Sequence, residues 1–261
     1  MNLSYHNQIM GSYNREFHKQ FEQLAYTSAQ EVVAILRQFL RPASVIDVGC
    51  GTATWLSVWR EHGVEDVFGV DGDYVNPEWL KIPKDRFMAF DLNCPLKLER
   101  TFELASTLEV AEHIPPEHAD QFVDSMVRLS PVVLFSAAIP HQGGVFHVNE
   151  QWQAYWAERF ARRDYLAVDC VRPRVWTNKA VSVAYRQNIL LYVRRDALAR
   201  NAALRREHEM TRDGQLSSAH PESYLEKVRA LEGDISFKRA LKALPRAFVL
   251  AVRRRLESKI S

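Results

Sequence analysis

Short apolar runs alternate with helical patterns through the middle of this chain, and that alternation restricts the available folds more than any other feature. The runs have the length and β-branched content of buried strands: SVIDV, DVFGVD, RFMAFDL, FELASTLEV, PVVLFSAAI, YLAVDCVRP and NILLYVRR. Helical patterns separate several of them, near residues 53–62, 117–129 and 150–162. Strands that alternate with helices form parallel sheets covered on both faces. We therefore predict an α/β domain with a mainly parallel, seven-stranded sheet and helices on both faces.

Helical additions are predicted on both sides of this domain. Residues 28–40 carry an apolar helical face that ends before Pro42, and strand patterns stop after about residue 196. Residues 235–260 show a basic amphipathic pattern interrupted by Pro245. We predict an N-terminal helical cap over residues 1–40, the α/β domain over residues 41–196, and a basic helical extension over residues 197–261.

Composition excludes several classes of protein. Apolar residues make up 47% of the 261 residues, enough for a sizeable core. No apolar run approaches the roughly 20 residues of a membrane-spanning helix, and the first residues lack a signal-peptide pattern. The three cysteines are isolated, which argues against a disulfide framework or a CxxC metal site. We therefore expect a cytoplasmic protein.

Charge is unevenly distributed along the chain. The formal net charge is +2, but residues 234–261 hold eight lysines or arginines against two acids, so the remainder carries −4. A mildly acidic body does not favour a nucleic-acid groove, and we predict no nucleic-acid partner. Three alternatives stay open for the basic segment. It contacts the cytoplasmic face of an anionic membrane, it packs on the domain or in a homodimer, or it is disordered.

One stretch, VIDVGCGTATW at residues 45–55, runs from a strand through a glycine turn into a helix. Gly49 and Gly51 permit a tight turn and close approach of a ligand, and the helix N-terminus offers unpaired N–H groups. Asp71 ends the next strand about 20 residues later, where a carboxylate can accept hydrogen bonds from ribose hydroxyls. These features predict a nucleotide-cofactor site. The glycine turn and Asp71 by themselves are also explained by a tight strand-to-helix turn with an aspartate that caps it.

At this stretch and at LEVAEHI after the fourth predicted strand, the sequence resembles the class I S-adenosylmethionine-dependent methyltransferases. Their first motif is an acidic residue followed by x-G-x-G-x-G; here it begins at Asp47, and Ala53 replaces the third glycine. The resemblance covers roughly residues 40–195 and implies a Rossmann-like, doubly wound fold that binds S-adenosyl-L-methionine. It implies cofactor contacts for Asp47, Gly49, Gly51, Thr52, Asp71, Gly72, Asp91, Leu92 and Glu109.

A second resemblance concerns the acceptor. HQGG followed by HVNEQW, with RPRVW and YRQN downstream, is similar to a bacterial methyltransferase subgroup associated with polysaccharide and glycoconjugate biosynthesis. It implies a small-molecule or glycan acceptor, and we expect O-methylation by in-line displacement. Histidines at strand ends can take a proton near neutral pH. We therefore predict catalytic roles for His113, His147 and Glu150, and acceptor contacts for His141, Asn149 and Arg186.

Other interpretations of these residues stay open. Asn149 suits a helix N-cap, Glu150 suits the first turn, and the aromatic residues that follow have the spacing of a buried helix face: Trp152, Tyr155, Trp156 and Phe160. His141 and His147 lie six residues apart near carboxylates, so a divalent metal site is an alternative, but we predict none. A catalytically silent protein of the same fold, acting through its basic segment, is the alternative to an enzyme.

Overall fold

The computed structural model describes residues 15–231. Seven strands are present in this part of the chain: β1 (Ser44–Val48), β2 (Asp66–Asp71), β3 (Phe87–Ala89), β4 (Leu104–Leu108), β5 (Val132–Ser136), β6 (Tyr165–Val168) and β7 (Leu190–Arg194). Nine α-helices accompany them: α1 (Arg15–Leu36), α2 (Thr54–Glu61), α3 (Ala119–Leu129), α4 (Gln153–Ala161), α5 (Arg172–Val175), α6 (Val183–Asn188), α7 (Arg195–Arg200), α8 (Ala202–Met210) and α9 (Pro221–Leu231).

The strands form one seven-stranded sheet in the order β3-β2-β1-β4-β5-β7-β6. All neighbouring pairs from β3 to β5 are parallel, whereas β7 runs antiparallel to both β5 and β6. The predicted mainly parallel, seven-stranded α/β fold is confirmed. In this order the carboxyl ends of β1, β2, β4 and β5 lie at one edge, where ligands bind in sheets of this kind.

Two apolar cores cover the two faces of the sheet. Side chains of successive strand residues point to opposite faces, so Leu134 packs with α1 and α2 while Val133 and Phe135 pack with α3 and α4. On the second face, the rings of Phe160 and Tyr192 stack with their centroids 4.0 Å apart. The predicted helical cover on both faces is therefore present.

Three local boundaries differ from the sequence-based expectation. Helix α1 covers Arg15–Leu36 instead of the predicted residues 28–40. Its first half was not predicted because that half is polar and carries no apolar helical pattern. Helix α4 begins at Gln153 with Trp152 at its N-cap, so Asn149 is not the cap and the prediction of that role is wrong. Trp156 and Phe160 are buried as predicted, but Trp152 lies outside the helix and is 44% exposed.

The chain divides into two compact units, one ending at Ser218 and the other beginning at Ala219. In the described part of the second unit, the backbone carbonyl of His220 accepts a hydrogen bond from the amide of Tyr224 in α9. The domain boundaries at residues 40 and 196 stay predictions. The predictions for the basic segment, residues 235–260, concern residues outside the described part of the chain. Among the described helices, none is long and apolar enough to cross a membrane.

Candidate active site

The glycine turn after β1 is held tightly against its neighbours. Gly49 has φ +82° and donates its N–H to the carbonyl of Val70 at 2.7 Å. A Cβ added to Gly49 would lie 2.3 Å from Cγ2 of Val110, so no larger residue fits without movement. Ala53, in place of the third glycine, adopts a left-handed conformation with φ +62°, which is uncommon outside glycine.

Asp71 ends β2 beside this turn and is only 4% exposed. Its Oδ2 accepts a hydrogen bond from the Gly51 amide at 2.6 Å, and its Oδ1 accepts one from the Gly72 amide at 2.7 Å and another from the Tyr74 hydroxyl. A Cβ placed on Gly51 would meet nothing within 4 Å, so the turn is open on that side. A carboxylate beside an open glycine turn suits a cofactor with ribose hydroxyls.

Asp47 lies one strand further into the sheet and is buried. Its Oδ1 accepts a hydrogen bond from the Ser106 hydroxyl at 2.7 Å. Burial raises the pKa of Asp47 to about 7, although the Ser106 hydrogen bond acts in the opposite direction. A positively charged sulfonium needs no phosphate-binding loop, and buried carboxylates near the turn are compatible with it.

The remaining predicted cofactor residues lie along the same edge. Asp91 is exposed, and its Oδ1 accepts hydrogen bonds from the backbone and side-chain nitrogens of Asn93. Leu92 packs against the second core, and Thr52 Oγ1 lies 3.3 Å from Thr54 Oγ1. The structure brings these side chains to the expected edge of the sheet, and their contacts with the cofactor stay predictions.

Glu109 follows β4 with φ +55° and is held by two amide side chains. Its carboxylate accepts hydrogen bonds from Gln142 Nε2 at 2.9 Å and from Asn188 Nδ2 at 3.1 Å. Burial raises the pKa of Glu109, and the hydrogen bonds from Asn188 and Gln142 offset part of that rise. No local sequence signal predicts the Gln142 contact, because 33 residues separate Gln142 from Glu109 along the chain.

His147 and Glu150 form the centre of the predicted acceptor side. The Nδ1 of His147 lies 2.9 Å from Oε1 of Glu150, and the Glu150 carboxylate also accepts the backbone amides of His141 and Gly143. Burial acts to raise the pKa of Glu150, but these hydrogen bonds outweigh it and hold the pKa below its ordinary value. An ionised Glu150 accepts from Nδ1–H, which leaves Nε2 of a neutral His147 with its lone pair.

His113 lies against His147, with ring centroids 4.9 Å apart and an interplanar angle of 88°. Partial desolvation lowers the pKa of His113, and the neighbouring His147 lowers it further. The Phe146 carbonyl and Asp71 act in the opposite direction. The neutral, proton-accepting form of His113 is therefore favoured.

Glu112 is a further side chain at this site, and no local sequence signal predicts its role. It is fully buried, and neither carboxylate oxygen accepts a hydrogen bond of normal geometry. Burial raises the pKa of Glu112 well above its ordinary value, and the Glu109 carboxylate raises it further. The Glu112 backbone carbonyl accepts the amides of Val148 at 2.9 Å and Asn149 at 3.0 Å, which fixes the His147 loop beside it.

The predicted acceptor contacts are distributed over different environments. His141 is exposed, with φ +67°, and Asn149 is buried with its Nδ2 lacking a hydrogen-bond partner. Arg186 is 4% exposed and donates to the carbonyls of Val181 and Trp176. The structure thus brings His141 and Asn149 to the His147 loop but places Arg186 among backbone carbonyls; their acceptor roles stay predictions.

The loop that carries His147 exposes several apolar side chains. Val145, Phe146, Val148 and Trp152 are 48%, 55%, 56% and 44% exposed, respectively. Gly144 passes so close to His147 that a Cβ there would lie 2.1 Å from Nε2. A larger residue at position 144 would therefore displace the imidazole of His147 from its present position.

A seven-stranded sheet with one antiparallel strand, a glycine turn after β1 and an acid at the end of β2 define the class I S-adenosylmethionine-dependent methyltransferases. A family model described as a methyltransferase domain matches residues 18–169. Because this match covers more than half of the chain, the protein belongs to that methyltransferase family. The methyltransferase domain of this family binds S-adenosyl-L-methionine, which is therefore the cofactor of this protein.

Solved structures share the fold at low sequence identity. Magnesium protoporphyrin IX methyltransferase (ChlM) from Synechocystis PCC 6803, with bound SAH, is 16% identical with a TM-score of 0.51; the match covers 74% of this chain and 95% of that one. An O-methyltransferase family protein from Burkholderia thailandensis is 12% identical with a TM-score of 0.50, covering 69% and 57%. DesVI from Streptomyces venezuelae is 12% identical with a TM-score of 0.50, covering 68% and 96%. A comparison with curated proteins finds no match.

Proposed function

We propose that this protein methylates a hydroxyl group of a small molecule or glycan. The observation that carries the proposal is the pairing of His147 Nδ1 with Glu150 at 2.9 Å, which leaves Nε2 as a basic nitrogen. This nitrogen lies in the loop after β5, near the carboxyl edge of the sheet where ligands bind in such folds. A hydroxyl is a weak nucleophile that benefits from a general base, and an imidazole has the pKa for that work near neutral pH.

The transfer is a single displacement. S-adenosylmethionine supplies an electrophilic methyl group; the carbon–sulfur bond breaks, a carbon–oxygen bond forms, and sulfur keeps the electron pair. The hydroxyl proton passes to Nε2 of His147. Glu150 holds the imidazole by Nδ1 and stabilises the positive charge that it gains. Most of the remaining rate enhancement comes from holding the acceptor oxygen in line with the methyl group.

The exposed apolar side chains beside His147 support a ring-shaped acceptor. A sugar presents C–H groups on its ring faces, and these pack well against aromatic side chains such as Phe146 and Trp152. This agrees with the resemblance of the HVNEQW region to methyltransferases of polysaccharide and glycoconjugate biosynthesis. A cytoplasmic location, which the three free cysteines support, belongs to the same proposal.

The test is a product analysis with S-adenosylmethionine and a panel of nucleotide sugars and glycans. We expect a mass increase of one methyl group on an acceptor, and a carbon–proton correlation spectrum that assigns the new methyl to oxygen. His147→Ala should lower kcat by roughly 100-fold or more, the usual contribution of a general base. His118→Ala, a histidine of the same sheet edge outside this cluster, is the matched control. Methylation of nitrogen or carbon, or near-normal turnover by His147→Ala, would contradict the proposal.

A further inference from the structure

Three potential metal ligands converge beside the cofactor turn. One carboxylate oxygen of Glu112 and one ring nitrogen each of His113 and His147 lie within 4.8 Å of one another. Glu112 and His113 follow β4 directly, whereas His147 comes from the loop after β5. The two hydrogen bonds from the 148 and 149 amides to the Glu112 carbonyl hold these segments together.

The buried carboxylate of Glu112 is an independent sign that a ligand belongs here. Its side chain is almost completely buried, and neither oxygen accepts a hydrogen bond of normal geometry. The nearest basic group is His147, whose Nε2 lies 3.9 Å from Oε1. Buried carboxylates are normally hydrogen-bonded, paired with a cation or bound to a metal. Within the described part of the chain, the Glu112 carboxylate has no cationic or metal partner, and the backbone amides of Glu112 and Ala138, which lower its pKa, do not form hydrogen bonds of normal geometry with it.

The partner of His147 matches the arrangement found behind metal-binding histidines. Such a histidine donates its second ring nitrogen to a carboxylate, which orients the ring and leaves the other nitrogen as ligand. Glu150 is the carboxylate partner of His147, with its Oε1 2.9 Å from Nδ1, and it is itself held by two backbone amides. The nitrogen left free is the one that lies nearest Glu112.

The side chains around the cluster are acidic. Glu109, Glu112 and Glu150 surround the two histidines, and among the described residues no lysine or arginine forms an ion pair with any of the three. A divalent ion bound here would therefore lie among acidic oxygens.

We propose that Glu112, His113 and His147 bind a divalent first-row transition-metal ion. Two imidazoles and one carboxylate suit ions such as Zn²⁺, Mn²⁺, Fe²⁺ or Co²⁺, whereas Mg²⁺ and Ca²⁺ prefer sites made of oxygens alone. Three protein ligands leave positions for water or for an acceptor oxygen. An ion held by these residues would supply Lewis-acid activation of the acceptor hydroxyl.

The ion would take the nitrogen of His147 that acts as base in the ion-free protein. Base catalysis by His147 therefore applies to the ion-free protein, and activation of the hydroxyl by the ion would apply to the ion-bound protein. Metal binding itself is independent of the proposed O-methylation and is measured without acceptor or cofactor. Only the ion's part in turnover rests on the proposed function.

The experiment uses the full chain with any affinity tag removed, treated with chelator and dialysed into metal-free buffer. Titration with Co²⁺ alone is followed by visible absorption, and titration with Zn²⁺ by calorimetry. We expect one equivalent to bind, and Glu112→Gln and His113→Ala each to weaken binding at least tenfold. His118→Ala should bind as the unmodified protein does. Melting curves confirm that the variants are folded; Glu112→Gln keeps the shape of the side chain, and His113→Ala changes an exposed residue.

The outcomes separate the two proposals. No stoichiometric Co²⁺ binding, or binding that neither variant weakens, overturns the metal site. If the unmodified protein binds one ion and the variants lose it, the site stands even where no O-methylated product forms. If the protein binds no Co²⁺ and forms product equally well after chelation, the metal site is excluded and His147 stays the proposed base.

Discussion

Asp47 shows how one buried residue links the cofactor side of the site to stability. Its strand β1 lies in the middle of the sheet, paired on either side with β2 and β4, and its carboxylate is reached only by the Ser106 hydroxyl among the hydrogen bonds described. Burial raises its pKa from the ordinary 3.8 to about 7 in the folded chain. The folded chain therefore retains this proton over a pH range in which the unfolded chain has lost it.

We predict that the free energy of unfolding falls because of Asp47 as pH rises from about 4 to about 7. Below this window the group is protonated in both states, so its contribution is fully present; above it, the contribution is lost. Asp47→Asn lacks this titration. Urea unfolding of both proteins without ligand should show the variant gaining ~2–4 kcal/mol relative to the unmodified chain between pH 4 and pH 8. A difference that stays constant with pH would rule out the raised pKa.

Gly49 and Val110 give a second prediction for single residues. Gly49→Ala should lower the free energy of unfolding by about 2–4 kcal/mol, because it combines a left-handed φ with a collision at Val110. Val110→Ala removes the colliding methyl groups but not the backbone strain. A double-mutant cycle should therefore give a favourable coupling of about 1 kcal/mol or more. Strict additivity of the two changes would show that the collision is absent.

At the scale of elements, Arg172 joins segments that are distant in sequence. It lies at the start of α5, forms a two-point ion pair with Asp169 after β6, and donates to the Leu216 carbonyl at 2.7 Å and to Ser218 Oγ at 3.1 Å. Its side chain is almost completely buried. Arg172 thereby ties the chain after α8 to the end of the sheet.

We predict that Arg172→Ala lowers the free energy of unfolding by about 3–5 kcal/mol, since it leaves Asp169 and the Leu216 carbonyl without their partner. Arg195→Ala breaks the pair with Asp164, in which both side chains are more than half exposed, and should cost less than about 1 kcal/mol. Chemical denaturation of the two variants provides the comparison. Equal losses would mean that burial of Arg172 does not determine its contribution.

At the scale of the whole molecule, the basic segment can be separated from cofactor binding. All residues predicted to contact the cofactor lie between positions 47 and 109, within the first compact unit. Deleting residues 232–261 should therefore leave the affinity for S-adenosylmethionine unchanged within about twofold, as measured by calorimetry. A large loss of affinity would show that the deleted residues contribute to the site.

The same deletion tests the predicted partners of the basic segment. Its eight cationic residues predict sedimentation of the full chain with anionic phosphatidylserine vesicles, reduced by salt and by the deletion. Analytical ultracentrifugation of the two proteins tests the alternative, a homodimer that the deletion would dissociate. If the deletion changes neither measurement, both predicted partners are excluded.

The agreement between sequence and structure is closest where a signal is local. Each of the seven strands was predicted from its apolar run, and the glycine turn and Asp71 lie at the expected strand ends. Boundaries were less accurate where local chemistry was ambiguous. Asn149 has the chemistry of an N-cap, yet its backbone amide bonds to Glu112 and the helix begins four residues later.

The sequence by itself determined the fold class and the cofactor side of the site, because apolar periodicity and glycine-turn chemistry act over a few neighbouring residues. Only the tertiary structure decided the environment of the residues predicted for the acceptor. The unpartnered burial of Glu112, its proximity to His113 and His147, and the Gln142 contact of Glu109 depend on loops that are more than 30 residues apart and meet only when the sheet packs. Whether a carboxylate is solvated, paired or left without a partner is set by that packing, and the order of residues alone does not specify it.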